Sequence, residues 1–448
     1  MTAEAGDILM VAAQGASVDG IVAWIGAGGA PAADLELRVG DQRYPLRDQW
    51  TRFAARGGDV NAQRITISGL PPGHAYTLQL VAHGEVVASA EASTLPPALP
   101  SDPDRPFTVL FGSCFSVAQD PACLVGAAVA RLPSFARPSV TILAGDQVYV
   151  DSPAMHFLLH THTKDDLADE LRSRYVTTWT QRSDIGGFQR LLTVANTLFS
   201  SDDHEFWNNA PSAAAYVRDT WSAAGREMWR TAATSAFKLF QAERAGSTFK
   251  VGRLAFFVSD MRLDRTADGA SFMAREQLDS LRAWVEALDG PGVLVTGQPI
   301  FVARTGWKGR VSDRGLADYA QYDDLVRILT ATRHDVAVLT GDVHFGRVAH
   351  CELPSGQRLF EVISSPLALV HPLAAGKWEP APPSFPAWPV AGAIQAPVFT
   401  NSYQRLNEHF VTAGFTGAGG AVRLSVTAWP IRAGGASVGE PVVTTVLH

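Results

Sequence analysis

The sequence predicts a mixed α/β fold preceded by a small all-β sandwich. Three observations carry this. Residues from about 8 to 95 break into short alternating runs separated by Gly, Pro and Asp turns, the spacing of a β-sandwich. Residues 94–100 read Thr-Leu-Pro-Pro-Ala-Leu-Pro, a stiff, donor-poor linker composition. From Phe107 onward, apolar runs that end in polar loops alternate with amphipathic stretches, which is the α/β pattern. The chain therefore divides into a β-sandwich over residues 1–97 and a second domain over 105–448.

In the first domain the strand-like runs are 21–25, 35–39, 64–67 and 76–80. In the second, 107–111 leads into Gly112-Ser113-Cys114, and 140–143 into Gly145-Asp146-Gln147-Val148-Tyr149. Residues 197–199 lead into Asp202-Asp203-His204-Glu205, and 254–258 into Ser259-Asp260-Met261-Arg262. Residues 293–295 lead into Thr296-Gly297-Gln298, and 335–340 into Gly341-Asp342-Val343-His344. Short, apolar, β-branched runs of this kind are buried strands. Helices are expected over 214–244, 274–288 and 317–332. The insert 152–196 carries His156, His160 and His162, read as solvated positions in preference to metal ligands. Residues 378–398 form a Pro-rich loop of the type that borders a pocket. After residue 399 strands return, at 421–426 and 441–446, as antiparallel additions to the main sheets.

Composition narrows the function. Lys+Arg 37 against Asp+Glu 44 gives a net charge of -7, with no basic run; this is no nucleic-acid-binding signature. Three cysteines, Cys114, Cys123 and Cys351, make no disulfide framework. No apolar stretch reaches the roughly 18 residues of a membrane span. The start has neither a basic nor an apolar leader segment, so the chain as written reads as cytoplasmic.

The chemistry lies at the strand ends, where α/β sheets bind ligands. Thiolate from Cys114, phenolate from Tyr149 and imidazole from His344 favour ferric iron. The carboxylates of Asp203 and Asp342 favour a harder second ion, with Asp146 as the bridge. Two ions about 3.5–4 Å apart can clamp the entering and leaving oxygens of a phosphoryl displacement. His204 is placed to protonate the leaving alkoxide, with Glu205 or Asp202 to orient it. Arg262 could hold the substrate's non-bridging oxygens in its fork. Taken singly, each residue has a plain structural rival: Cys114 as a small hydrophobe, Tyr149 as core, Asp203 as a loop cap, Arg262 as a brace. Their recurrence at matched strand ends is what favours a metal site.

The blocks Gly145-Asp146-Gln147-Val148-Tyr149, Asp203-His204-Glu205 and Gly341-Asp342-Val343-His344 resemble those of calcineurin-like metallophosphoesterases, and more narrowly the PhoD-like alkaline phosphatase branch. The Asp146-to-Tyr149 spacing is also similar to purple acid phosphatases. Residues 67–77 resemble the turn-and-tyrosine stretch of fibronectin type III domains. The resemblance covers about residues 105 to 430 and implies a four-layer αββα metallophosphatase sandwich holding iron and calcium. Gly112-Ser113-Cys114 stands where the superfamily has Asp-x-His, Asp203-His204 where it has Asn-His, and Asp342-Val343-His344 where it has His-x-His. These are the changes of the PhoD-like branch; they move one site towards oxygen ligands, which suits calcium. Gln298 stands where most relatives have a histidine ligand, which makes zinc or manganese the less favoured pair.

The activity implied is hydrolysis of small phosphate esters, mono- or diesters, by a metal-bound hydroxide with His204 as general acid. The alternatives are a phospholipase D-like phosphodiesterase and, in a different class, a non-catalytic binding protein on a degenerate phosphatase fold.

Overall fold

The computed structural model describes residues 8–46, 49–184, 186–242, 246–305, 314–368, 377–383, 385, 404–432 and 438–448. Eight strands form the N-terminal part: Leu9–Gln14 (β1), Gly20–Gly28 (β2), Glu36–Val39 (β3), Gln42–Pro45 (β4), Thr51–Ala55 (β5), Gly58–Ser68 (β6), Ala75–Ala82 (β7) and Glu85–Ser93 (β8). Phe107–Gly112 (β9), Val140–Ala144 (β10) and Asn196–Ser200 (β11) follow, then Ser247–Val251 (β12), Leu254–Val258 (β13), Gly292–Val295 (β14), Val336–Thr340 (β15), Gly346–Glu352 (β16), Arg358–Ile363 (β17) and Gln404–Arg405 (β18). The chain ends in His409–Ala418 (β19), Ala421–Pro430 (β20) and Glu440–Leu447 (β21). The helices are Leu124–Ala130 (α1), Ala154–Leu159 (α2), Lys164–Trp179 (α3), Phe188–Thr193 (α4), Ala223–Phe240 (α5), Arg275–Glu286 (α6) and Tyr322–Thr330 (α7).

Two large sheets pack face to face. One has ten strands in the order β21-β20-β19-β9-β10-β11-β1-β2-β6-β5, the other seven in the order β12-β13-β14-β15-β17-β16-β18. Their central strands are parallel, and a parallel strand covered on both sides reads as an unbroken apolar run. Side chains then sort by the two-residue period. Val109, Phe111, Ile142, Phe256, Val293 and Leu339 fill the core between the sheets. Leu110 and Leu143 face the helices α3, α4 and α5 on one side; Phe257, Leu294 and Val338 face α6 and α7 on the other. Helix, sheet, sheet, helix is the four-layer αββα architecture that the resemblance implies, and β19–β21 add antiparallel strands to it.

The N-terminal strands form a sandwich whose two halves have different neighbours. The sheet β4-β3-β7-β8 stands alone, whereas β1, β2, β6 and β5 extend the ten-stranded sheet. The join is parallel pairing of Gln14 with Thr197. Leu37, Leu78 and Leu80 of the small sheet meet Val11, Ala23 and Ile25 of the large one, while Met10, Ala12 and Trp24, on the opposite face, meet the helical core.

Two helix expectations change. Residues 317–332 break into a 3-10 turn, Leu316–Asp318, and α7; the Ala320 and Gln321 N–H groups go to the carbonyls of Gly269 and Ala270, interrupting the helical ladder. Residues 214–244 become turns followed by α5, which starts where the Ser222 side chain accepts from Gly225 N; residues 243–245 lie outside the described set. Most of the Pro-rich loop 378–398 also lies outside it.

Candidate metal centre

The carboxyl ends of β9, β10, β11 and β15 meet at one edge. Cys114 follows β9, Asp146 and Tyr149 follow β10, Asp203 and His204 follow β11, and Asp342 and His344 follow β15. The approach is close because of two glycines. A Cβ on Gly145, whose φ is +91°, would lie 2.5 Å from Asp202 Cβ. A Cβ on Gly341 would lie 2.2 Å from Ser113 Oγ, carried by the other large sheet.

The loops after β9, β10 and β15 bend through the left-handed region. Cys114 (φ 60°), Asp146 (58°), Asp342 (67°) and His344 (56°) are four of the eight described non-glycine residues with positive φ. Such backbone costs on the order of 1–3 kcal/mol per residue and gathers at functional sites.

Glu205 supplies the scaffold. It is fully buried, and its carboxylate accepts the N–H groups of Asp146 (2.8 Å), Gln147 (2.6 Å), Val148 (3.3 Å) and Asp202 (2.9 Å). One side chain from the β11 loop thus shapes the β10 loop. Burial outweighs those four donors and lifts its pKa to about 7.

Two sets of ligand atoms lie within 4.8 Å of one another: Asp146, Asp203 and His204, and Asp146, Asp202, Asp203 and Asp342. Cys114 Sγ is 3.5 Å from Asp146 Oδ2 and 3.4 Å from the Asp342 carbonyl. The Tyr149 ring packs against His204, centroids 4.0 Å apart and tilted by 33°, and its buried hydroxyl has no hydrogen-bond partner. Burial, then the Asp203 carboxylate, push Asp146 well above the usual carboxylate range; burial and the neighbouring acids push Cys114 and Tyr149 up as well. An orphaned phenol and crowded carboxylates fit a cation, which reverses that local electrostatic logic. Neither set of ligand atoms includes Cys114 or His344; by residue type, thiol, phenol and imidazole suit one kind of ion and carboxylates another.

His204 is oriented by Asp151, not by Glu205 or Asp202. Its Nδ1 is 2.8 Å from Asp151 Oδ1, and Asp151 is itself fixed by Asn208 N (2.8 Å) and Tyr216 Oη (3.0 Å). Burial pulls His204 down, but Asp151, Asp203 and Asp146 outweigh it and carry its pKa well above the usual value. Asp202, next in the chain to a proposed ligand, is committed elsewhere: Arg262 Nε donates to its Oδ1 at 2.6 Å, its Nη2 contacts the same oxygen, and Nη1 donates to the Ala210 carbonyl at 2.7 Å. The Arg262 guanidinium is therefore buried in a brace, and Asp260 accepts from Ser201, Arg262 and Leu263 in the same loop system. Gln298 donates to Asp342 Oδ2 at 3.0 Å, which turns it into a support for a proposed ligand. His156, His160 and His162 cluster, ring centroids 5.1 and 5.5 Å from His156, and His162 is tied to Asp219; they are in neither ligand set.

Four layers with an acidic cluster at the strand ends make an αββα sandwich. The fold is PhoD-like: the chain is similar to a solved structure of PhoD, with a TM-score of 0.66 at 15% identity over 97% of this chain and 89% of that one. A glycosyl hydrolase family 2 structure from Bacteroides cellulosilyticus aligns at 9% identity over 98% of this chain and 63% of its own, with a TM-score of 0.23 that carries no weight. No family model and no curated protein matches the sequence. No helix among the described residues is long and apolar enough to cross a membrane.

Proposed function

We propose that the chain is a metal-dependent phosphoesterase acting on small phosphate esters, with one iron(III) and one calcium ion. The observation that carries this reading is the convergence of strained, left-handed residues from both large sheets on one buried acidic cluster. Cys114, Tyr149, Asp146 and His344 would hold the iron; Asp146, Asp203 and Asp342 would hold the calcium. When bound, the ions supply Lewis-acid charge and an activated water.

The residues of the chain do the rest. Asp151 holds the Nδ1 side of the His204 ring and leaves Nε2 to carry a proton to a leaving oxygen. Tyr149 restricts that ring by packing against it. Arg262 keeps Asp202 neutralised and the β11 loop in place. A non-catalytic phosphate binder would have no use for an imidazole oriented in this way, so the binding-protein reading is the weaker one. A phospholipase D-like phosphodiesterase would share every one of these groups.

Metal analysis of the purified protein, with turnover of a chromogenic phosphomonoester and the matching diester, tests the proposal. Bound iron with hydrolysis of either ester is expected. A metal-free protein, or a metal-loaded one that hydrolyses neither, would refute it.

A further inference from the structure

The Cys114 sulfur lies among four oxygens: Ser365 Oγ at 3.2 Å, Asp342 O at 3.4 Å, Asp146 Oδ2 at 3.5 Å and Ser113 Oγ at 3.6 Å. A thiolate there can receive a proton from only one of them. The Asp342 carbonyl has none to give, nor has the Asp146 carboxylate once it is ionised against a cation. Ser113 spends its single proton on the Ser364 carbonyl, 3.1 Å away. Ser365 accepts the His344 N–H at its oxygen, at 3.1 Å, which leaves its own O–H for the sulfur. Ser365 and Cys114 are both fully buried, so water does not compete for either.

We propose that Ser365 is the positioning residue that tunes Cys114 as a metal ligand: its hydroxyl donates to the thiolate while its oxygen holds the backbone of His344. The inference rests on the metal-centre reading above. A hydrogen bond to a ligating sulfur stabilises the sulfur lone pairs, so the thiolate gives less charge to the metal. Sulfur-to-metal charge transfer then needs more energy. The same hydroxyl fixes two proposed ligands of one ion, Cys114 from the ten-stranded sheet and His344 from the seven-stranded one. The donor strength of the first is thereby set by a residue anchored to the second.

Cobalt(II) is the probe, because its thiolate charge-transfer band does not depend on iron being the native metal. The metal-free protein is loaded with cobalt, and bound cobalt and the near-ultraviolet band are measured in wild type, Ser365→Ala, Ser365→Cys and Ser113→Ala. Ser365→Ala should keep its cobalt and move the thiolate band to longer wavelength. Ser365→Cys, a weaker donor, should move it part of the way, and Ser113→Ala should leave it in place. An unmoved band in Ser365→Ala with cobalt retained overturns the tuning role while the metal centre stands. An equal shift in Ser113→Ala overturns it too, as does loss of cobalt from Ser365→Ala. A wild-type protein that binds cobalt without any thiolate band removes Cys114 from the centre, and the metal reading of that residue fails with it.

Discussion

Two of the places where the described residues bury carboxylates are arranged in opposite ways. On the seven-stranded sheet Glu361 is fully buried, yet Arg347 Nη2 donates to it at 2.6 Å and the Ile300 and Phe301 N–H groups at 2.6 and 2.8 Å. Charge and hydrogen bonds balance within the chain. At the strand-end edge, Asp146, Asp202, Asp203 and Asp342 crowd within 4.8 Å, and the guanidinium that reaches them is given to Asp202. The difference teaches that the chain can neutralise a buried acid when stability is all that is needed. Leaving Asp146, Asp203 and Asp342 crowded is the signature of a site completed by something else.

The comparison can be broken in several ways. The largest effect is expected from Asp146→Asn, which removes the proposed shared ligand: phosphoester turnover should fall by at least about 10³-fold, measured with the chromogenic ester, and iron should be lost. Glu361→Ala should instead leave metal content alone and cost about 3–5 kcal/mol in denaturant unfolding, the usual penalty for breaking a buried pair. If Glu361→Ala strips the metals, the two clusters are not independent.

His409 is buried in a third manner, as a neutral group. Burial pulls its pKa down to about 4 from 6.5, so above pH 6.5 neither the folded nor the unfolded state is charged there. Between pH 6.5 and 4 the unfolded chain takes up the proton and the folded one does not. Stability therefore falls with pH across that window, by at most about 3 kcal/mol, and chemical denaturation of His409→Gln should lack that part of the slope. Asp151→Asn should lower turnover by about 10- to 100-fold, more for an alkyl phosphate than for a nitrophenyl ester, with metals retained; equal loss on both would make Asp151 a support for phosphate binding. The smallest effect discriminates best. In metal-free protein Asp203→Asn removes a repelling charge and should raise stability by about 1 kcal/mol, whereas in metal-loaded protein it should lower it. The same sign in both states would mean that the edge is balanced without ions.

The legible parts of this structure are those that one segment of chain determines. Runs such as 254–258 and 335–340 show as strands because each is buried on both faces, and the order of Asp146, Asp203 and Asp342 along the chain is enough to bring them to one edge. The helix at 317–332 was over-read because periodicity does not show Gly269 and Ala270 capturing its backbone. Asp151 and Ser365 were missed for a related reason: each acts on a residue 53 and 251 positions away, respectively. The signal for Asp151 is slight, a second acidic residue two places after Tyr149; Ser365 has none. Arg262 was placed at the right edge, but a guanidinium fork fits Asp202 as well as it fits a phosphate, and residue type alone does not choose between them.

Gly341 sets a dimension of the site. With an added methyl group only 2.2 Å from Ser113 Oγ and 3.1 Å from the Ala144 carbonyl, the loop after β15 can come no closer to the loops after β9 and β10 than bare backbone allows. The gap between the two sheets' ligands is therefore calibrated by a hydrogen atom. A single methyl group at this position would wedge the sheets apart at their ends and widen the seat, without altering any of the proposed ligands. Which ionic radius the seat accepts is in this sense a property of the main chain, and Gly341→Ala would retune the preference among cations through spacing alone.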